Sequence, residues 1–183
     1  MAFQNRFQFS TSDRPGYHKL GKLNYTFIMN GAFMEVMFAP FFGAYDFENG
    51  TAEAWGDGNT KMDLTTMDDT AKYTAEAIVD PTTINTTFQI TGDELTRNEI
   101  IAVYQEVTGQ QLTAKYRGTI EDLKAQIEVM KSNPNPWMYI RLQYLWLLES
   151  GISKLENLVN DRYPQIHPIT VREFFANQIS VNK

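Results

Sequence analysis

Threonine-led helix starts constrain the fold of this 183-residue chain more than any other feature. Thr96 with Glu99, and Thr170 with Glu173, have the spacing of capping boxes, in which hydroxyl and carboxylate bind the free N–H groups that begin a helix. Thr66 and Thr119 stand at N-cap positions before two further segments of helical periodicity. Strands must fit between these helices, so the chain is predicted to have an α/β fold.

Apolar periodicity and breaker residues predict where the elements run. The helix from Thr96 is expected to end at Gly109, and Pro136 is placed as the first residue of a helix through Leu148. Residues 32–39 are apolar nearly all round, which predicts a short buried helix. Strands are predicted at 24–29, 53–55, 61–65 and 86–90. About three or four strands against five or six helices make a thin sheet.

Composition removes several classes of function. The chain has no cysteine, which excludes disulfides, zinc thiolates and thiol nucleophiles. The net charge is −6, and no dense cluster of Lys and Arg occurs, so nucleic acid is not expected as a partner. No apolar run approaches the roughly 20 residues that span a bilayer, and the N-terminus has no signal-peptide core. No membrane association is expected, and a cytoplasmic location is predicted.

Some residue patterns in this chain resemble those of phosphate loops, paired catalytic carboxylates or metal sites in other proteins, but each has a structural explanation. Gly56 to Asn59 (GDGN) predicts a tight turn between two strands, since the third glycine and following helix of a phosphate loop are missing. Asp68 and Asp69 are adjacent, so they do not converge on a helix and fit the acidic first turn after Thr66. His18 and His167 have no metal-binding or catalytic neighbours in sequence, and no metal site is predicted.

One segment is a candidate for a pocket. Met29, Asn30, Phe33, Met34 and Met37 follow the first predicted strand, and ligands bind at the carboxyl ends of strands in open α/β sheets. The same residues could equally form the core side of a buried helix. From the residues alone both interpretations stay open.

Short segments in a fixed order extend from about residue 20 to about residue 180. They are LNYTFIMNGAF (23–33), GDGN (56–59), Asp68 and Asp69, Tyr73 and Thr74, Asp80 and Pro81, Asn85, LTRNEI (95–100), Tyr163 and Pro164, and TVREF (170–174). Together they resemble the C-terminal half of the NmrA-like and isoflavone-reductase-like family, which are atypical short-chain dehydrogenase/reductases.

The resemblance implies a partial Rossmann-like sheet joined to the helical C-terminal substrate domain of that family. It implies a single domain over 1–183, with 1–50 as the remnant of the Rossmann half and 51–183 as the substrate-domain-like region. NADP or NAD is the implied cofactor, and a small organic molecule the implied substrate. Asn30, Gly31 and Phe33 match the family segment that lines the nicotinamide, and Met29, Met34 and Met37 are assigned to the substrate pocket.

Two departures from the family pattern lead us to expect weakened or lost reductase activity. No G-x-G-x-x-G occurs, and residues 5–12 resemble a strand from the middle of the family's sheet. Counting back from Tyr25 by the family spacing reaches Thr11 instead of the catalytic lysine, and the motif places neither Lys19 nor Lys22 in that role. The catalytic residues are therefore unknown, and a partial gene product is another interpretation.

A different class of function is a non-catalytic ligand-binding or regulatory module, such as a redox sensor, that acts through a partner or a dimer. A thin sheet leaves strand edges and apolar faces uncovered, so we expect a homodimer, or burial of residues 25–42 by another chain. Light scattering over a range of concentrations measures this directly, and a strict monomer would contradict it.

Overall fold

Three small β-sheets carry the fold of the protein in the computed structural model, which describes residues 24–181. The predictions on 5–12, His18, Lys19 and Lys22 lie outside this range. Eight strands occur within it. They are β1 (Thr26–Met29), β2 (Ala32–Phe33), β3 (Tyr45–Asp46), β4 (Thr51–Trp55), β5 (Lys61–Thr65), β6 (Thr86–Gln89), β7 (Asp93–Thr96) and β8 (Thr113–Gly118).

Each sheet contains a parallel pair of strands. β1 pairs with β6, the order β2-β5-β7 forms the second sheet, and β3-β4-β8 forms the third. β1 with β6, β2 with β5 and β4 with β8 are parallel, whereas β5 with β7 and β3 with β4 are antiparallel. Parallel pairs need long crossovers, and helices supply them here. The predicted α/β class is confirmed.

Six α-helices cover these sheets in the same range. They are α1 (Met34–Met37), α2 (Met67–Val79), α3 (Arg97–Thr108), α4 (Ile120–Met130), α5 (Trp137–Glu149) and α6 (Val171–Val181). The capping box of α3 is confirmed, because Thr96 Oγ1 accepts from the Glu99 N–H at 3.1 Å and the Glu99 carboxylate accepts from the Thr96 N–H at 2.7 Å. None of the described helices has both the length and the apolarity to cross a bilayer.

Two local expectations need correction, and one is confirmed. Residues 32–39 are helical only over Met34–Met37, because Ala32 and Phe33 pair with β5 instead. The turn predicted at GDGN is confirmed; it joins β4 to β5, which belong to different sheets, and Gly56 and Gly58 have positive φ. The predicted number of three or four strands is too low, because eight strands occur within residues 24–181. One of the missed strands is β8, which is exposed along most of its length and therefore shows no alternation of apolar residues.

Two apolar clusters hold the elements together. The larger one joins α1, α3, α4, α5 and α6 to the second and third sheets, and the smaller one packs α2 on β6. The smaller cluster is formed by Tyr73, Phe88, Ile90 and Tyr163. The parallel pair β1 and β6 therefore lies at one side of the main core, and its carboxyl ends are left open to a cleft.

Candidate functional site

An open cleft of about 720 Å³ lies where β1 and β6 end. Met29 and Gln89 are register partners at the carboxyl ends of these two parallel strands, and both line the cleft. Asn30 and Gly31 continue the floor beyond β1. The carboxyl ends of parallel strands are the usual place for ligands in open α/β sheets, and the volume is that of a small-molecule site.

Helix α5 supplies the apolar wall of the cleft. Its sequence, WMYIRLQYLWLLE, is apolar on nearly every side, so one side can pack inward while another faces a ligand. Leu142 and Leu145 are buried in the main core. Tyr144, Leu147 and Leu148 line the cleft. Because the helix is apolar on nearly every side, it packs against the main core and also lines the cleft.

A lysine closes the opposite wall, and its ammonium group is fully bonded. Lys154 Nζ lies 2.8 Å from an Asp63 carboxylate oxygen, 2.7 Å from a Glu94 oxygen and 2.9 Å from the Leu155 carbonyl oxygen. The other Asp63 oxygen accepts from the Leu155 N–H at 2.7 Å. Asp63 is only 2% exposed, so this buried carboxylate anchors the segment after α5 to β5.

The ionisation of Lys154 follows from these contacts. Burial by itself lowers the pKa of Lys154, but the hydrogen bonds to Asp63 and Glu94 outweigh it and raise the pKa above its ordinary value. The side chain therefore stays protonated at neutral pH, with its three donors occupied. It holds the wall in place and has no proton or lone pair to offer a ligand.

Gln89 fixes the rest of the same wall. Its Oε1 accepts from the backbone N–H groups of Glu156 and Asn157 at 3.1 and 3.2 Å. Its backbone also forms a parallel bridge with Leu158. The segment 151–157 is thus tied to β6 as well as to β5, so the cleft is formed before any ligand arrives.

Gly31 is the backbone position on which the cleft floor depends. Its φ is +67°, in the left-handed region, and a Cβ here would lie 2.7 Å from both the carbonyl carbon and the Cβ of Asp63. Neither can move aside cheaply, because Asp63 belongs to β5 and also holds Lys154. Glycine at 31 is therefore required where the chain passes from β1 into β2 and lies directly against β5.

The six residues predicted for the site have three different placements, and Phe33 does not line the cleft itself. Met29, Asn30 and Gly31 line the cleft. The backbone of Phe33 hydrogen-bonds the phenol of Tyr144, while burial raises the pKa of Tyr144. Met34 and Met37 are completely buried in the main core and do not line the cleft, because α1 turns inward after β2. The assigned roles of all six stay predictions.

The sequence interpretation did not include the residues contributed by later parts of the chain. Gln89, Tyr144, Lys154 and the loop after α5 come to the cleft only through the tertiary fold. One local signal was present, since Gly151 directly follows a long apolar helix and has φ of +74°. A glycine at that position predicts that a helix ends and a loop begins. It does not predict which part of the protein the loop contacts.

Comparison with protein families gives a match over most of the chain. The model of the NmrA-like family matches residues 17–172. A comparison with the sequences of curated proteins gives no significant match.

Solved structures with the same fold extend the comparison. A crystal structure of isoflavone reductase has a TM-score of 0.74 at 24% identity and covers 89% of this chain. The leucoanthocyanidin reductase–NADPH complex from Vitis vinifera has a TM-score of 0.71 at 20% identity and covers 88%. AtPrR2 with NADP+ and (+)pinoresinol has a TM-score of 0.70 at 22% identity and covers 87%. The chain spans 55%, 56% and 53% of these proteins, about half their length.

Proposed function

Because this chain belongs to the NmrA-like family, we propose that the cleft at the ends of β1 and β6 is its small-molecule site. In this proposal it is the nicotinamide and substrate side of a fold derived from NAD(P)H-dependent reductases. The position of the cleft is the observation that carries the proposal, since Met29 and Gln89 end two parallel strands at its floor.

The lining supports a flat, neutral ligand. Leu147, Leu148 and Ile152 give it apolar walls, and its lysine is neutralised by two carboxylates. The Asn30 Nδ2 is buried and has no hydrogen-bond partner among the described residues. A rotation of that amide would let it donate to a ligand oxygen. A nicotinamide ring or a small organic substrate has this chemistry.

The described residues do not fit the phosphates of NADP(H). Phosphate binding needs free backbone N–H groups at a helix start, or cations with unused donors. Lys154 is the only cation that lines the cleft within residues 24–181, and its donors are already occupied. The 183-residue sequence contains no G-x-G-x-x-G. We therefore assign no hydride-transfer step to these residues.

Weak cofactor binding and little reductase turnover are the expected behaviour of this chain. Lys154 does not replace the family's catalytic lysine, because a general base works best with a pKa near the operating pH and the pKa of Lys154 is raised. A second candidate function, ligand binding or redox sensing without turnover, is favoured by the same bonding of Lys154. The two are separated by whether NADPH absorbance falls when an organic substrate is bound.

Titration with two dihydronicotinamides tests the proposal. NADPH and neutral N-benzyl-1,4-dihydronicotinamide are expected to bind with similar, weak affinity, because the phosphates gain no contacts. Ile152→Trp, which fills the cleft, should abolish binding of both. Val129→Trp on the exposed side of α4 is the matched control and should change neither.

Calorimetry or nicotinamide fluorescence gives the affinities. A micromolar dissociation constant for NADPH would overturn the expected loss of cofactor binding. Binding of the neutral compound that survives Ile152→Trp would overturn the placement of the site.

A further inference from the structure

A second cleft, of about 350 Å³, lies between the β3-β4-β8 sheet and helices α4 and α5. It shares no lining residue with the cleft at the ends of β1 and β6. Its lining includes Glu53, Trp55, Arg117, Met130, Met138 and Arg141. We call it the arginine cleft.

Two of its three charged groups neutralise each other. The Glu53 carboxylate accepts from Trp55 Nε1 at 2.9 Å through one oxygen and from Arg141 through the other. Arg141 also donates to the backbone carbonyl groups of Phe42 and Gly43. These groups form a closed network at the inner end of the cleft and leave no charge there for a ligand.

Arg117 is different, because its positive charge is not compensated. It is exposed on β8, and its side chain has no hydrogen bond or ion pair with any residue in 24–181. Lys115 lies two residues earlier on the same face of β8 and is the register partner of Glu53. Lys115 also lies near Asp46, so Arg117 is the cation of this face that stays unpaired at the cleft within residues 24–181.

Apart from Gln126, the rest of the lining suits a flat apolar group. The Trp55 ring forms part of the base and is almost fully buried. Met130 and Met138 come from α4 and α5, and Met138 is 44% exposed. Thioether side chains are flexible and polarisable, and they make favourable contacts with aromatic rings. At about 350 Å³ the cleft has room for one or two fused rings.

We propose that the arginine cleft binds a small planar aromatic carboxylate. The carboxylate pairs with the Arg117 guanidinium, whose fork of donors matches two carboxylate oxygens. The ring system lies between Met130 and Met138, above Trp55. The site is independent of the proposed small-molecule cleft at the ends of β1 and β6. Its ligand is anionic, whereas the ligand proposed for that cleft is neutral.

The experiment uses the full chain with 2-naphthoate and its neutral analogue 2-naphthamide. The indole N–H signals of the three tryptophans, followed by ¹H–¹⁵N NMR, report binding, and Trp55→Phe assigns the relevant signal. We expect 2-naphthoate to shift the Trp55 signal and to bind about tenfold more tightly than 2-naphthamide, as a charge-assisted pair predicts.

Arg117→Gln is expected to remove that preference, so that both compounds bind equally weakly. Arg117 is exposed, and dispersed NMR spectra will show that the variant is folded. Lys115→Gln, on the same face of β8 but outside the lining, is the matched control and should change the affinity by about twofold at most.

Four results would overturn the proposal, and three of them come from the two probes, Arg117→Gln and the Trp55 signal. These three are an unchanged 2-naphthoate affinity in Arg117→Gln, equal affinities of acid and amide in the unmodified protein, and an unmoved Trp55 signal at saturating probe. Ile152→Trp fills the other cleft and is expected to leave 2-naphthoate binding intact. Loss of binding in that variant would place the ligand in the other cleft and would also overturn it. A failure of the proposed dihydronicotinamide binding changes none of these readouts.

Discussion

Replacing Arg97 with methionine is expected to lower the free energy of unfolding by about 3–5 kcal/mol, because it leaves a buried carboxylate without its partner. Arg97 and Glu149 have side chains 0% and 1% exposed. Arg97 Nε donates to Glu149 Oε1 at 2.6 Å, and Nη2 donates to the same oxygen. Burial raises the pKa of Glu149 although Arg97 opposes the shift. The carboxylate therefore depends on this one guanidinium.

The pair joins the first turn of α3 to the last residue of α5, just before the cleft wall at Gly151. Arg97 also lies over the ring of Tyr45, at 5.0 Å from the centroid, and burial raises the pKa of Tyr45 to about 12. The Arg97 Nη1 and Tyr45 Oη atoms have no hydrogen-bond partner within the described range. The pair thus orders the core at a cost in desolvation.

Urea unfolding of three variants measures the effect of Arg97. The double variant Arg97→Met with Glu149→Leu should recover most of the lost stability, because an apolar pair of similar volume fits a buried site without uncompensated charge. Arg172→Met is the matched control. It breaks an exposed pair with Glu106, in which the two side chains are 50% and 65% exposed, and it should cost far less stability than Arg97→Met because water screens the pair. Equal losses in Arg97→Met and Arg172→Met would show that burial does not set the cost.

Replacing Gly31 with alanine is expected to cost roughly 2–5 kcal/mol and to abolish ligand binding in the cleft. The left-handed backbone accounts for about 1–2 kcal/mol of this, and the overlap with Asp63 for about 1–3 kcal/mol. Relief of the overlap must push β2 away from β5 or displace Asp63, which releases Lys154 and the loop after α5. Stability and cleft geometry should therefore be lost together.

Gly109→Ala separates the two contributions. Gly109 has φ of +71°, but a Cβ there would have nothing within 4 Å. Only the cost of the left-handed backbone applies, so about 1–2 kcal/mol of stability and no ligand binding should be lost. Thermal unfolding and dihydronicotinamide titration of both variants are the measurements. If Gly109→Ala destabilised the protein as much as Gly31→Ala, the close approach of Gly31 to Asp63 on β5 would not be what requires glycine.

The helix starts could be predicted because their interactions are local. Thr66 accepts from the Asp69 N–H, and Thr119 and Asp122 form a capping box within the first turn of α4. Such contacts depend on residues three positions apart, which the sequence displays directly. The family resemblance rests on the same kind of short segment, and the family is confirmed over residues 17–172.

The paired strands were harder to predict, because their partners are distant in sequence. β4 and β5 are separated by a short turn, yet each belongs to a different sheet. The sequence of β8 is polar and charged. Its parallel partner, β4, lies about sixty residues earlier in the chain. Backbone hydrogen bonds specify such an exposed strand, and backbone groups leave no signature in the side-chain pattern.

The sequence by itself determined the α/β class, the helix starts, the family and the candidate segment at Met29 to Gly31. Only the tertiary structure decided which of those residues face a cleft, and that Met34 and Met37 face the core. Lys154 meets Asp63 across 91 positions, and Arg97 meets Glu149 across 52. The physical reason is that burial and ion pairing depend on the three-dimensional neighbours of a side chain, whereas sequence patterns record only its neighbours along the chain.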